Sequence, residues 1–300
     1  MTIYSQIASN KRRSFLLLFL FIVIILLLGW ALGSAFGDTY LGLILAGLIS
    51  IIMGFFSYYS GDKVALWTAG AQEIKKEDNP YVFRMVENLC ITAGLPMPKV
   101  YIIQDPAPNA FATGRDPKHA SIALTTGIIV GLQNEELEGV IAHEISHIKN
   151  YDIKLMTIVI ICVGTIVLMA NWLMRARFFG RGRNREGGQL ASILLIIGLV
   201  LAILSPIFAQ LIQFAISRKR EFLADASGAL LTRYPEGLAK ALEKISQYDK
   251  PVERVNNATA HLYISNPFGA KAGRGFAKLF STHPPIDERV AALRTMAGVK

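Results

Sequence analysis

Cysteine is nearly absent from this chain: Cys90 and Cys162 are the two among 300 residues. Two scattered cysteines, one of them inside an apolar run, exclude a disulfide framework and fit a reducing compartment. Neither has metal-site spacing, and both read as small buried hydrophobes. Charge is also scarce, at 18% of residues against 52% apolar. Acids are outnumbered by bases, 22 to 31, for a net charge of +9. In a soluble chain that excess would raise the question of nucleic acid. Here Lys and Arg lie beside apolar blocks, where they set membrane orientation and meet anionic lipid. No finger, homeodomain or single-strand-binding signature is present, so no nucleic-acid partner is expected. There is no internal repeat and no long low-complexity run.

The apolar residues gather into four blocks, which points to a multi-pass membrane protein rather than a greasy globular one. The first spans about 15–33 and follows Lys11, Arg12 and Arg13. Nineteen residues at about 1.5 Å each reach about 28 Å, the thickness of a bilayer core. No small-residue cleavage site stands out, so the block reads as a retained helix rather than a signal peptide. The second spans about 41–59, with Gly42, Gly47 and Gly54 available for close packing. Residues 1–60 thus form a transmembrane hairpin with both ends in the cytoplasm. Residues 61–153 are polar enough to be soluble. They should hold a helix opened by Asn79-Pro80, strands at Lys99 to Gln104 and Ser121 to Thr125, and a helix capped by Asn134. A second hydrophobic hairpin covers 154–216, with blocks at about 155–174 and 190–216. Its connecting segment, 175–188, carries five arginines. Outside the cell these would break the positive-inside preference, which leaves open whether this hairpin fully spans. Residues 217–300 are soluble again, with helices from Glu236 to Tyr248 and after Pro284-Pro285.

The chemistry sits in His143-Glu144-Ile145-Ser146-His147, an H-E-x-x-H match. Histidines four apart on a helix share a face and can reach one ion. Neutral imidazole is a common zinc ligand, and the glutamate can act as general base on the water. A catalytic zinc usually takes a third protein ligand. A metzincin histidine would fall at position 153, which is Ile153. The alternative is a carboxylate further along. Glu221 and Asp225 share a helix face in the run Arg218 to Asp225; one can ligate while the other orients a histidine. Two apolar blocks separate His147 from Glu221, so two crossings, or none, return Glu221 to the side it left.

H-E-I-S-H followed by S-R-K-R-E-F-L-A-D resembles the HtpX-type membrane metalloproteases, relatives of the type I CaaX prenyl proteases. N-A-F-A-T-G at Asn109 to Gly114 and S-T-H-P-P-I-D-E-R at Ser281 to Arg289 extend the likeness over nearly the whole chain. The resemblance implies an α+β, mainly α fold: a multi-pass membrane protein with a cytoplasmic gluzincin-type metalloprotease domain split by a hydrophobic hairpin. It implies one zinc per chain on His143, His147 and Glu221, with Glu144 as base. It also implies an endopeptidase of the plasma membrane, acting on misfolded or membrane proteins in quality control and stress. An edge strand at Asn109, Ala110, Phe111 and Ala112 is expected to pair with extended substrate. His283 is expected to donate to the oxyanion, and Arg289 to pair with an acid near the site. His119 and His261 read as ordinary histidines. Asp152, five residues past His147, is expected to point away from the ligand face and to be structural. The rival readings are a prenyl-peptide protease and an inactive membrane scaffold. Substrate identity and oligomeric state stay open.

Overall fold

The computed structural model describes residues 3–158, 218–254, 259–269 and 284–298. The second hydrophobic hairpin beyond residue 158, its arginine-rich segment, Cys162 and His283 lie outside the described residues. The architecture is mainly helical, with one small mixed sheet.

Two long helices lead. α1 (Ile3–Phe36) and α2 (Thr39–Thr68) form an antiparallel pair turned at Gly37 and capped by Asp38, whose carboxylate accepts from the Leu41 N–H at 2.9 Å. Both are long and apolar enough to cross a membrane. Large apolar side chains on α2, among them Ile44, Ile51, Ile52 and Phe55, are exposed, as lipid-facing residues would be. The pair touches through glycine. A Cβ on Gly42 would lie 2.3 Å from the Gly29 carbonyl oxygen and 2.6 Å from the Gly33 Cα. Close backbone approach of this kind gains packing where no hydrophobic effect operates between helices. Gly47 and Gly54, expected to help, make no such approach among the described residues.

The sheet has the order β1-β2-β4-β3, with β1 (Gln72–Ile74), β2 (Lys99–Ile103), β3 (Ala110–Gly114) and β4 (Ala120–Thr125). β2 and β4 run parallel, and β3 runs antiparallel to β4 at the sheet edge. α3 (Pro80–Ala93) starts at the expected Asn79 cap and stops at Gly94, which is left-handed at φ 68°. The short α4 (Thr126–Gly131) leads to α5 (Asn134–Lys149). The cap of α5 falls one residue earlier than expected. Gln133, not Asn134, is the cap, and its backbone N–H donates to Glu136 in the first turn at 2.8 Å. After the break come α6 (Arg218–Thr232), α7 (Pro235–Ser246) and α8 (Ile286–Met296).

α5 is the hub. Apart from Glu138, every residue from Glu136 to Ile148 is buried, against β3, α3, α6 and α7. Val86, Leu89, Ile122, Leu124, Val140, Ile141, Leu242 and Leu293 fill the surrounding core. Gly139 admits α7, since a Cβ there would lie 2.7 Å from the Leu238 nitrogen. Gly228 admits α6, since a Cβ there would lie 3.0 Å from the His143 nitrogen. These close approaches bring the acids of α6 to the histidines of α5.

Candidate metal centre and active site

His143 and His147 sit one turn apart on the buried face of α5, and their Nε2 atoms converge to 3.1 Å. Glu221 in the first turn of α6 closes the group. Its Oε2 lies 3.8 Å from His143 Nε2 and its Oε1 3.6 Å from His147 Nε2. These donor atoms all lie within 4.8 Å of one another and are buried.

The second nitrogens explain the convergence. His143 Nδ1 faces Asp225 Oδ1 at 2.9 Å, and His147 Nδ1 faces Asp152 Oδ2 at 3.0 Å. A carboxylate only accepts, so each Nδ1 carries a proton, which leaves each Nε2 as the atom that can offer a lone pair to a metal ion. Two lone pairs 3.1 Å apart repel unless a cation lies between them, either a proton on His147 Nε2 or a metal ion in its place. Nitrogen–metal bonds of about 2.0–2.1 Å at a near-tetrahedral angle require a nitrogen separation of about 3.2–3.4 Å. The charge agrees. Glu144, Glu221, Asp225 and Asp152 are four buried acids, and Arg220 and Arg289 are two buried bases beside them. The difference matches a divalent cation. The donor set therefore fits a metal such as zinc.

Burial and neighbours separate the titrating groups. Burial drives the His143 imidazole down to about 4, against the pull of Asp225. Burial also opposes charge on His147, but the Asp152 hydrogen bond and the Glu221 carboxylate outweigh it and carry the imidazole up to about 9. Glu144 is lifted by burial to about 7, with Glu221 adding and His147 opposing. Asp225 stays near 2 despite burial, because Arg289 holds it ionised. That arginine is fully buried. Its Nε and Nη2 form a fork to Asp225 at 2.8 and 2.6 Å, and Nη1 lies 3.9 Å from Glu221 Oε2.

β3 runs beside the centre. Ala110, Ala112 and Gly114 turn their backbone polar groups away from β4. The Ala110 carbonyl accepts from the Ile264 N–H at 2.9 Å. Gly114 exchanges hydrogen bonds with the Thr157 hydroxyl. Between them the Ala112 N–H donates toward the Glu144 carboxylate. Phe111 turns the other way and packs on Tyr263, ring centroids 5.1 Å apart. Asn109 precedes the strand, its Nδ2 donating to the Ser265 carbonyl at 3.3 Å. Of the residues singled out from sequence, His143, Glu144, His147, Glu221, Asp225 and Ala112 come together. Arg289 joins them through the expected acid pair.

Asp152 corrects the sequence reading. It was expected to point away, on the assumption of a continuous helix. α5 ends at Lys149, and Tyr151 adopts a left-handed φ of 60°. The turn folds Asp152 back beneath His147. His119 is exposed and pairs with Asp116 at 2.8 Å. His261 is buried with Nε2 3.4 Å from the Met156 carbonyl oxygen. Both lie apart from the converging ligands.

A helix presenting two histidines and a glutamate, met by a carboxylate from a second helix, places the molecule among the metallopeptidases. The chain belongs to peptidase family M48, whose profile matches residues 76–297. It is 46% identical over 295 residues to the protease HtpX homolog of Dictyoglomus turgidum, covering 98% of this chain and 95% of that protein. It is 48% identical over 300 residues to the protease HtpX homolog of Tropheryma whipplei (strain Twist), covering 98% and 99%. The crystal structure of S. mikatae Ste24p superposes with a TM-score of 0.51 at 17% identity, over 97% of this chain and 67% of that one. That likeness concerns the fold. The protein is a membrane metalloprotease, a hydrolase of polypeptides.

Proposed function

We propose that the chain is a zinc-dependent endopeptidase of the plasma membrane, its active site on the cytoplasmic side, cleaving misfolded or membrane proteins. The observation that carries this reading is the convergence of two imidazole Nε2 atoms and the Glu221 carboxylate, with both Nδ1 protons held by acids. His143, His147 and Glu221 would hold one zinc ion. Zinc supplies Lewis-acid polarisation of the scissile carbonyl and acidifies water toward neutrality. Glu144 takes a proton from the attacking water on its carboxylate. It then gives that proton to the leaving amine nitrogen as the C–N bond breaks, so hydroxide ends on the acyl carbon and hydrogen on the amine. Burial raises that carboxyl in the metal-free centre, and a bound cation would favour its ionised form, the one that accepts the proton.

Ala112 is the rung of β3 nearest the base, and extended substrate would pair there through main-chain hydrogen bonds. Such pairing recognises backbone rather than sequence, which suits unfolded chains. Asn109, Ala110 and Phe111 would frame the strand. For substrate to lengthen this pairing past Ala110, Ile264 must give up its bond. His283 is the proposed oxyanion donor on sequence grounds. The orientation follows from charge. The start of α1 lies against the end of α5, so Lys11, Arg12 and Arg13 share a side with Arg218 and Lys219 at the start of α6. A bilayer keeps such clusters in the cytoplasm.

The test is purified full-length protein in detergent, assayed for metal content and for cleavage of an unfolded protein. One zinc per chain, loss of cleavage on chelation and recovery on adding zinc are expected. Intact substrate at every metal loading would favour the scaffold reading instead. The role of Asp152 is separable. Asp152→Asn keeps the shape but removes the charge behind His147, and zinc affinity should fall about 10- to 100-fold. Unchanged affinity in a chelator competition would show that the Asp152 carboxylate does not orient the ligand.

A further inference from the structure

Asn10 lies in the early turns of α1, five residues before the unbroken apolar run that begins at Phe15. An amide there is not needed to span a bilayer, yet its side chain is buried. Its polar atoms point into the catalytic domain. Nδ2 donates to the Asn150 carbonyl at 3.0 Å and to Asp152 Oδ1 at 2.7 Å. Oδ1 accepts from Arg220 Nη1 at 2.9 Å. Both ends of the amide are used at good hydrogen-bond lengths.

The two ends reach different ligand-bearing segments. Asn150 and Asp152 follow α5, and the other oxygen of Asp152 faces His147 Nδ1. Arg220 directly precedes Glu221 in α6. One amide on a membrane helix therefore ties the end of one ligand helix to the start of the other. Arg220 depends on it. Among the described residues its Nε and Nη2 have no hydrogen-bond partner, and its Nε lies 3.8 Å from Asp152 Oδ1.

We propose that Asn10 is a positioning residue through which the membrane helix α1 sets the alignment of His147 and Glu221. This rests on those two residues being metal ligands. An apolar side chain at position 10 would leave the buried Arg220 and Asp152 short of partners. Asp152 would then hold the His147 ring less firmly, and the opening turn of α6 would shift against α5. The grip on the metal thereby reports whether α1 is docked.

The experiment uses the full-length chain in detergent as wild type, Asn10→Leu, Asn10→Ser and Ser14→Ala. Each protein is loaded with zinc, and transfer to a fluorescent chelator is timed. Each is also loaded with cobalt, and its visible spectrum is recorded. Both Asn10 variants should release zinc roughly threefold to tenfold faster, less than the 10- to 100-fold expected for a direct histidine partner. Their cobalt bands should shift. Ser14, one turn further along α1 and also buried, has a hydroxyl with no hydrogen-bond partner among the described residues, so Ser14→Ala should match wild type. Asn10→Ser decides the matter by the same readouts if Asn10→Leu does not fold. Wild-type release and spectra in the Asn10 variants would overturn the proposal. So would an equal effect of Ser14→Ala, which would assign the change to α1 packing in general. A wild type that takes up neither metal would overturn the ligand assignment itself.

Discussion

Replacing Glu144 by Gln is expected to abolish peptide hydrolysis while leaving the metal content at the wild-type level. The side chain is buried beside the histidines, but it is not one of the converging donors. Gln is nearly isosteric and keeps the hydrogen bond from the Ala112 N–H, so the strand and helix should not move. What it cannot do is accept a proton from water and return it to the amine. Positioned general acid–base catalysis contributes about 10²- to 10⁴-fold, and this glutamate serves in both directions, so a loss near the upper end is expected. The measurement is cleavage of an unfolded protein alongside metal analysis of the same preparation. A Gln variant that cleaves within about tenfold of wild type would move the base elsewhere. One that loses its metal would make Glu144 a structural member of the centre.

Arg289→Met should unfold the catalytic domain more readily than any other single change at the site. Arg289 has no solvent exposure, and it compensates Asp225 directly and Glu221 at longer range. Its Nη1 also donates to the Ile264 carbonyl at 3.0 Å. Methionine fills much of the volume but strands two carboxylates in a buried setting. Breaking a buried pair from one side costs about 3–5 kcal/mol. For a domain of this size that corresponds to a fall of about 10 °C in the thermal midpoint. Arg289→Lys keeps the charge but loses the fork and cannot hold both Asp225 and Ile264. It should fall between Met and wild type. Thermal unfolding of the metal-free protein isolates the effect from any change in zinc affinity. A Met variant as stable as wild type would show that Asp225 and Glu221 are neutralised by other means.

Much of the centre could be read from spacing. His143 and His147 follow from the four-residue repeat of a helix face, and Glu221 and Asp225 obey the same rule on α6. The division of labour between those two acids was open from spacing alone; in the structure Asp225 faces a Nδ1 and Glu221 faces both Nε2 atoms. The helix opened by Asn79-Pro80 and the two strands of the parallel pair were legible because cap chemistry and β-branched runs are local signals. β1 was not, since three residues, two of them exposed and one half-buried, are too few to carry an alternation. Asp152 was misread because face arithmetic fails once a helix has ended, and nothing at Tyr151 announces a positive φ. Asn10 reads locally as one more polar residue ahead of a membrane run. Its partners lie 140 to 210 positions away, beyond the reach of any periodicity.

The glycine at position 228 makes the centre a property of spacing between backbones as much as of side chains. Any larger residue there must push α6 outward from His143, and Glu221 and Asp225 ride on α6. A displacement of a few tenths of an ångström is comparable to the tolerance of a metal–ligand bond. The helix pair thus works as a calliper set by a missing methyl group. Transplanting the two histidines and two acids onto another pair of helices would reproduce the composition of the site. It would not reproduce its grip unless those axes approached as closely.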